Sequence, residues 1–187
     1  MSNVIAGVDE VGRGCLAGPV VAGAVVFPEN HIQIDGVDDS KLLSAKKREA
    51  LDLAIRQNAA YVGIGQVEAD EIDQIGIVAA VSKAMRIACL SIPHRDTILV
   101  DGPRTLGLEQ LSPHVQAIIH GDHENYLIGA ASIVAKVYRD HVMTDYALQY
   151  PGYGWDRNAG YGTKEHIAAI GQYGLTPLHR ATFIHFD

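Results

Sequence analysis

Acidic residues recur in this sequence where the pattern of a buried strand runs out. Val4 to Asp9 and Thr97 to Asp101 are short runs rich in Val and Ile that close on a carboxylate, and Val115 to His120 leads through Gly121 into Asp122. Glu10 follows Asp9 directly. A buried carboxylate must be protonated, paired or bound to a cation, and ligand sites in open α/β sheets gather outside the carboxyl ends of strands. Separated acids in that one relative position can converge, and oxygen-only ligands suit a hard divalent cation, Mg²⁺ or Mn²⁺. Taken singly, each Asp also reads as a turn residue bonding local amides. Taken together with Glu10, they read as a metal site. Neighbours on a strand face opposite sides, so Asp9 and Glu10 reach one cluster only where the strand ends or bulges; the Gly12-Arg13-Gly14 turn supplies that break.

The elements that must position these acids alternate between strand-like and helix-like patterns, which argues for an α/β sheet protein. Two further strands are expected at Val20 to Phe27 and Ala60 to Val67, the first of them an antiparallel neighbour of the Asp9 strand. Ser44 is a candidate N-cap for a surface helix to Asn58. A second helix, Ile77 to Leu90, has an apolar stripe of Ile77, Val78, Val81, Met85 and Ala88. A third, Tyr126 to Tyr150, is apolar almost all round and must be deeply buried, and a shorter one starts at Thr163.

Length and composition narrow the class. The 187 residues suit one domain, and 48% hydrophobic with 20% charged residues excludes a disordered chain. No apolar run reaches the roughly 18 residues of a membrane span and the start lacks signal-peptide features, so the cytoplasm is the expected compartment. Cys15 and Cys89 are the two cysteines; far apart and without a CxxC partner, they read as reduced thiols. Lys plus Arg less Asp plus Glu is 15 − 22 = −7, a field that repels phosphates, so any nucleic acid must meet a local basic patch. The stretch Gly12 to Gly18 is GxGxxxG leading to Pro19 and a strand, not the dinucleotide-binding pattern that opens a helix. A zinc site at His120 and His123 and a serine hydrolase are set aside too, the latter because no GxSxG elbow is present.

Six motifs in order carry a specific resemblance. They are Gly7-Val8-Asp9-Glu10-Val11-Gly12-Arg13-Gly14, Asp39-Ser40-Lys41, Val100-Asp101-Gly102, Gly121-Asp122, Ala130 to Asp140, and Gly160-Tyr161-Gly162-Thr163-Lys164. From Gly7 to Arg180 the chain resembles type 2 ribonuclease H, the ribonuclease HII family. The resemblance implies a ribonuclease-H-like mixed five-stranded sheet flanked by helices, forming a single catalytic domain over residues 1–187 without a long C-terminal extension. It implies that Asp9, Glu10, Asp101 and Asp122 are the catalytic, metal-binding acids. It implies that Gly12, Arg13 and Gly14 read a ribonucleotide 2′-hydroxyl while Tyr161 stacks on the neighbouring sugar. Lys41, Ser132, Lys136 and Lys164 become candidate phosphate contacts.

The activity so implied is two-metal hydrolysis of RNA in RNA/DNA hybrids, and incision 5′ of single ribonucleotides in duplex DNA to leave a 3′-hydroxyl and a 5′-phosphate. A monomer is expected, with no membrane association. The rivals are a metal-dependent hydrolase of small phosphate esters on a related sheet and an inactive duplex-binding module; four uncompensated carboxylates argue against the latter. Three positions depart from the family pattern. His120 replaces a usual Lys beside Gly121-Asp122, Cys15 a common Pro, and Ala159 a frequent Lys.

Overall fold

The computed structural model describes residues 3–37, 40 and 43–185. Five strands form one sheet: β1 (Ile5–Val11), β2 (Val20–Val26), β3 (Tyr61–Val67), β4 (Thr97–Asp101) and β5 (His114–Ile118). Their order is β3-β2-β1-β4-β5. β1 runs antiparallel to β2 and β2 to β3, whereas β1, β4 and β5 are parallel. The sheet is therefore mixed, and its three parallel strands deliver their carboxyl ends to one edge of the molecule.

Helices cover both faces: α1 (Ala45–Asn58), α2 (Ala69–Ile75), α3 (Ile77–Leu90), α4 (Gly121–Glu124), α5 (Tyr126–Gln149), α6 (Trp155–Asn158) and α7 (Lys164–Tyr173). This is the architecture that the resemblance implies. The expected N-cap is present, with Ser44 Oγ accepting from Lys47 N at 3.3 Å, and Leu51 and Ile55 are the buried residues of α1. On α3 the buried stripe is Ala80, Val81, Ala84, Met85, Ala88 and Cys89, and Val78 points outward. Helical spacing alone would keep Val78 on the stripe, about 20° from Met85 around the axis; it is exposed because it stands in the first turn of α3, where it lines a cleft with Glu10, Arg13 and Asp101. Among the described residues no helix is long and apolar enough to cross a membrane.

Alternation along the central strand divides the core. Ala6 and Val8 of β1 pack in a cluster with Val81, Met85 and Ala88 of α3. The opposite face carries Gly7 and, on β2, Gly23. A methyl group on Gly7 would overlap the backbone of Leu127, and one on Gly23 the Ala131 carbonyl, so these two glycines let α5 press directly on the sheet. A second cluster there joins Val25, Leu51, Ile55 and Val134. A third, beyond the sheet edge, gathers Ala17, Met143, Tyr153, Trp155 and Ile170.

Two boundaries differ from expectation near the acids. β1 continues in regular register past Asp9, with Glu10 opposite Ala22 and Val11 opposite Val21. The chain therefore breaks after Val11 and not at the acid pair. β5 stops at Ile118, because His120 takes a left-handed conformation (φ 56°) that turns the chain into α4.

Candidate active site

Parallel pairing brings the first two acids together. Val8 of β1 lies beside Val100 of β4, so Asp9 and Asp101 are the next residues of adjacent strands. The third comes from the left-handed turn at His120, which places Asp122 in the first turn of α4. The same turn presents Gly121 N to Asp101 Oδ1 at 2.7 Å and fixes that carboxylate. One oxygen from each of Asp9, Asp101 and Asp122 lies within 4.8 Å of the other two.

Asp9 is the most confined of the three, with 3% of its surface exposed. Its own carboxylate accepts from Glu10 N at 2.6 Å. Burial, followed by repulsion from Glu10 and Asp101, pushes its pKa well above the usual carboxylate range, against a lowering hydrogen bond from Ser132. Such a cluster is unfavourable as it stands, and a divalent cation among the oxygens relieves the desolvation and the repulsion together. Every donor is a hard carboxylate oxygen, so the residues present fit such an ion.

Glu10 stands apart from this group. Regular strand alternation puts it on the α3 side, where it lines a cleft of about 430 Å³ with Arg13, Val78, Asp101 and Arg104. Arg13 Nη1 lies 3.8 Å from Glu10 Oε1. Asp101 borders both the three-acid cluster and this cleft.

The turn after β1 is built from below. Gly12 is buried with φ +87°, and a methyl group there would overlap the Arg139 guanidinium. Gly14 is exposed with open space around it. Arg139 is fully buried and donates to Pro19 O (2.8 Å), Ala159 O (2.8 Å) and Ala17 O (3.1 Å). Arg180, equally buried, donates to Arg13 O at 3.0 Å and twice to Gly18 O, at 3.0 and 2.9 Å. Among the described residues neither guanidinium belongs to an ion pair. Burial brings the Arg180 pKa down to about 10, so it remains a cation at neutral pH.

Tyr161 stands across from this turn, 40% exposed, with Lys136 Nζ 5.9 Å and the Arg139 guanidinium carbon 6.0 Å from its ring centre. Burial, then the neighbouring Cys15, holds its hydroxyl above the usual phenol range. Lys136 pairs with Asp140 at 2.6 Å, one helical turn on. Ser132 is 3% exposed; it bonds the Asp9 carboxylate, and its hydroxyl lies 2.8 Å from that of Ser40. Its position is thus behind the acid, not on the surface. Lys164 opens α7 and is exposed. Asp39 and Lys41 lie outside the described residues.

Sequence reasoning singled out neither buried arginine as a working part. A signal existed for one of them: Arg139 falls on the buried face of an almost wholly apolar helix, in step with Ser132, Ala135 and Met143. A cation there must be spent on carbonyls or acids.

Comparison with known proteins agrees with this geometry. A family model for ribonuclease HII matches residues 6–186. The chain is 48% identical to a ribonuclease HII of Thermosynechococcus vestitus over 182 residues, covering 96% of this chain and 83% of that one. It is 51% identical to a ribonuclease HII of Leuconostoc mesenteroides over 183 residues, covering 97% and 70%. The solved ribonuclease H2 of Pyrococcus horikoshii OT3 superposes with a TM-score of 0.81 at 28% identity, over 96% of this chain and 93% of that one. With the family model spanning nearly the whole chain and relatives this similar along most of their own length, the chain belongs to the ribonuclease HII family.

Proposed function

We propose that this metal-dependent endoribonuclease, which cleaves RNA in RNA/DNA hybrids by two-metal catalysis, also incises duplex DNA 5′ of a single embedded ribonucleotide, leaving a 3′-hydroxyl and a 5′-phosphate. The observation that carries the reading is the convergence of Asp9, Asp101 and Asp122 at the sheet edge from which the Gly12 to Gly14 turn departs. Mg²⁺ or Mn²⁺ is the proposed ion, held by those three acids with Glu10 reaching in from the cleft side. When bound, the ions supply Lewis acidity for the attacking water and offset charge on the departing 3′ oxygen.

The chain's own residues do the selecting. The turn presents the exposed backbone of Gly14 beside Arg13, and a 2′-hydroxyl, both donor and acceptor, is the group that backbone amides and carbonyls at such a turn can recognise. Tyr161 offers the neighbouring sugar a half-exposed ring. Lys136, Lys164, Lys41 and Arg13 supply charge for phosphates, and Ser132 holds Asp9 from behind. The substrate is a hybrid or a ribonucleotide-containing duplex, bound by a monomer.

A labelled DNA duplex carrying one ribonucleotide, incubated with Mg²⁺, with Mn²⁺ and with chelator, tests this. Cleavage is expected with either ion at the 5′ side of the ribonucleotide, none with chelator, and none of an all-DNA duplex. Cleavage in chelator, or of plain DNA at a comparable rate, overturns the reading.

A further inference from the structure

Beneath Tyr161 lies a pair of buried histidines that the proposed chemistry does not use. His166 is 0% exposed, His179 4% and Trp155 1%. Trp155 Nε1 donates to His166 Nε2 at 3.0 Å, and an indole N–H only donates. His166 Nε2 therefore carries no proton, and the neutral ring holds its proton on Nδ1. That atom donates to Tyr161 O at 3.0 Å. The same logic fixes the second ring. Thr176 N donates to His179 Nδ1 at 2.9 Å, which leaves the proton on Nε2, directed at His166 Nε2 3.2 Å away. The two rings hold complementary tautomers, and the one lone pair of His166 Nε2 is shared by two donors, Trp155 Nε1–H and His179 Nε2–H.

The network joins the two sides of the nucleic-acid site. His179 forms a backbone bridge with Ala17, flanked by Gly18 N donating to Leu178 O and Arg180 N to Leu16 O, each at 2.8 Å. Leu16 N in turn donates to Gly160 O at 2.8 Å. One path thus runs from the turn after β1 through Ala17, His179 and His166 to Tyr161. The Tyr161 carbonyl already accepts from Thr163 N at 2.8 Å. The bond from His166 is therefore not needed to satisfy a buried carbonyl; it sets the angle of the turn that carries the ring.

We propose that His166 and His179 are positioning residues for ribonucleotide recognition, a neutral pair in fixed complementary tautomers that holds Tyr161 in register with the Gly12 to Gly14 turn. This rests on the reading of Tyr161 as the residue that stacks on the sugar. His166→Leu removes the donor to Tyr161 O, whereas His166→Asn returns an amide N–H close to the place of Nδ1–H. In His166→Leu, kcat on the single-ribonucleotide duplex should fall by about tenfold or more, the effect of one lost orienting hydrogen bond, with KM little changed. His166→Asn should recover most of that loss. Mn²⁺ binding measured by calorimetry should match wild type in both variants, because the acids lie on other elements.

Tyr161→Ala, assayed in parallel, separates two kinds of failure. Wild-type kcat in Tyr161→Ala removes the stacking role itself. Loss in Tyr161→Ala with wild-type kcat in a folded His166→Leu, or with His166→Asn no better than Leu, removes the positioning role alone. If His166→Leu does not fold, ¹⁵N NMR of the wild-type imidazoles decides. A proton on His166 Nδ1 and on His179 Nε2 at neutral pH is expected, and the opposite tautomers, or a charged ring, overturn the proposal.

Discussion

Asp9 and Arg139 are both buried formal charges serving the same sheet edge, and the fold treats them in opposite ways. Asp9 sits among like charges and its pKa rises through burial, Glu10 and Asp101. Arg139 meets three carbonyl oxygens and, among the described residues, pairs with no carboxylate, so each of its three nitrogens makes a hydrogen bond to the backbone. The acid cluster is chemically unfinished until a cation arrives. The arginine base beneath the turn is complete as folded, and its contribution is geometry. On the proposed assignment of roles, chemistry sits where the chain tolerates instability, and recognition sits where the chain has cross-braced itself.

The same operation, removal of one buried charge, should then have opposite consequences at the two places. Asp9→Asn or Asp101→Asn should reduce cleavage by on the order of a thousandfold, since an amide is a poor ligand for a hard cation at a site of concentrated electrostatic stabilisation. Stability of the metal-free variant should be equal to or above wild type. Added Mn²⁺ should raise the melting temperature of wild type but not of Asp9→Asn. Near-wild-type turnover in either variant breaks the acid half of the comparison. Arg139→Leu should instead destabilise by about 3–5 kcal/mol, because three carbonyls lose their donor inside the protein. Urea unfolding measures it, and a loss below about 1 kcal/mol would show that those carbonyls find other partners.

The two regions were also unequally legible. Asp9, Asp101 and Asp122 stood out because charge at the end of an apolar run is conspicuous, and the parallel pairing that unites them follows from ordinary α/β topology. Asp122 was nevertheless read from a strand end and lies on a four-residue helix, since a left-handed His120 has no signature in apolar periodicity. The short helices α2 and α6 went unread for the same reason, as neither is long enough to show a repeat. Arg139, Arg180, His166 and His179 were hidden more deeply. Their partners are backbone carbonyls and one another, and a contact such as Arg180 to Arg13 O spans 167 positions. Side-chain spacing carries no record of it.

Acidification sharpens the comparison at the histidine pair. Burial, then the neighbouring His166, brings the His179 pKa down to about 4, and burial lowers that of His166 against raising bonds from Tyr161 and Gly160 and the charge of Glu165. Both folded pKa values lie below the unfolded value of about 6.5, so the neutral rings contribute fully above that pH. The contribution is lost as pH falls through the folded values, because the unfolded chain takes up the protons first. For His179 alone the loss between about pH 6.5 and 4 amounts to roughly 3 kcal/mol at most. Against wild type, His179→Gln should show a flatter fall in urea stability over that window. Parallel profiles would mean that His179 titrates as it does in the unfolded chain.

The smallest effect tests how tightly the arginine base dictates the backbone above it. Ala159 is left-handed, with φ 47° and ψ 32°, and its carbonyl accepts from Arg139 Nη1 at 2.8 Å and from Cys15 Sγ at 3.7 Å. A non-glycine residue gives up about 1–2 kcal/mol in that conformation, whereas glycine adopts it freely but gives the unfolded chain extra entropy worth about 0.4–1 kcal/mol. The difference leaves Ala159→Gly more stable by about half a kcal/mol, or roughly 1–2 °C in Tm for a chain of this size. Cleavage should be unchanged, because Arg139 still draws the carbonyl into place. The neighbouring Gly160 has φ +80° and a methyl group there would overlap Ala17 O, so Gly160→Ala should lose both stability and activity. If Ala159→Gly lowered cleavage of the single-ribonucleotide duplex while Tm rose, the side chain at position 159, and not the arginine alone, would be setting the path into Tyr161.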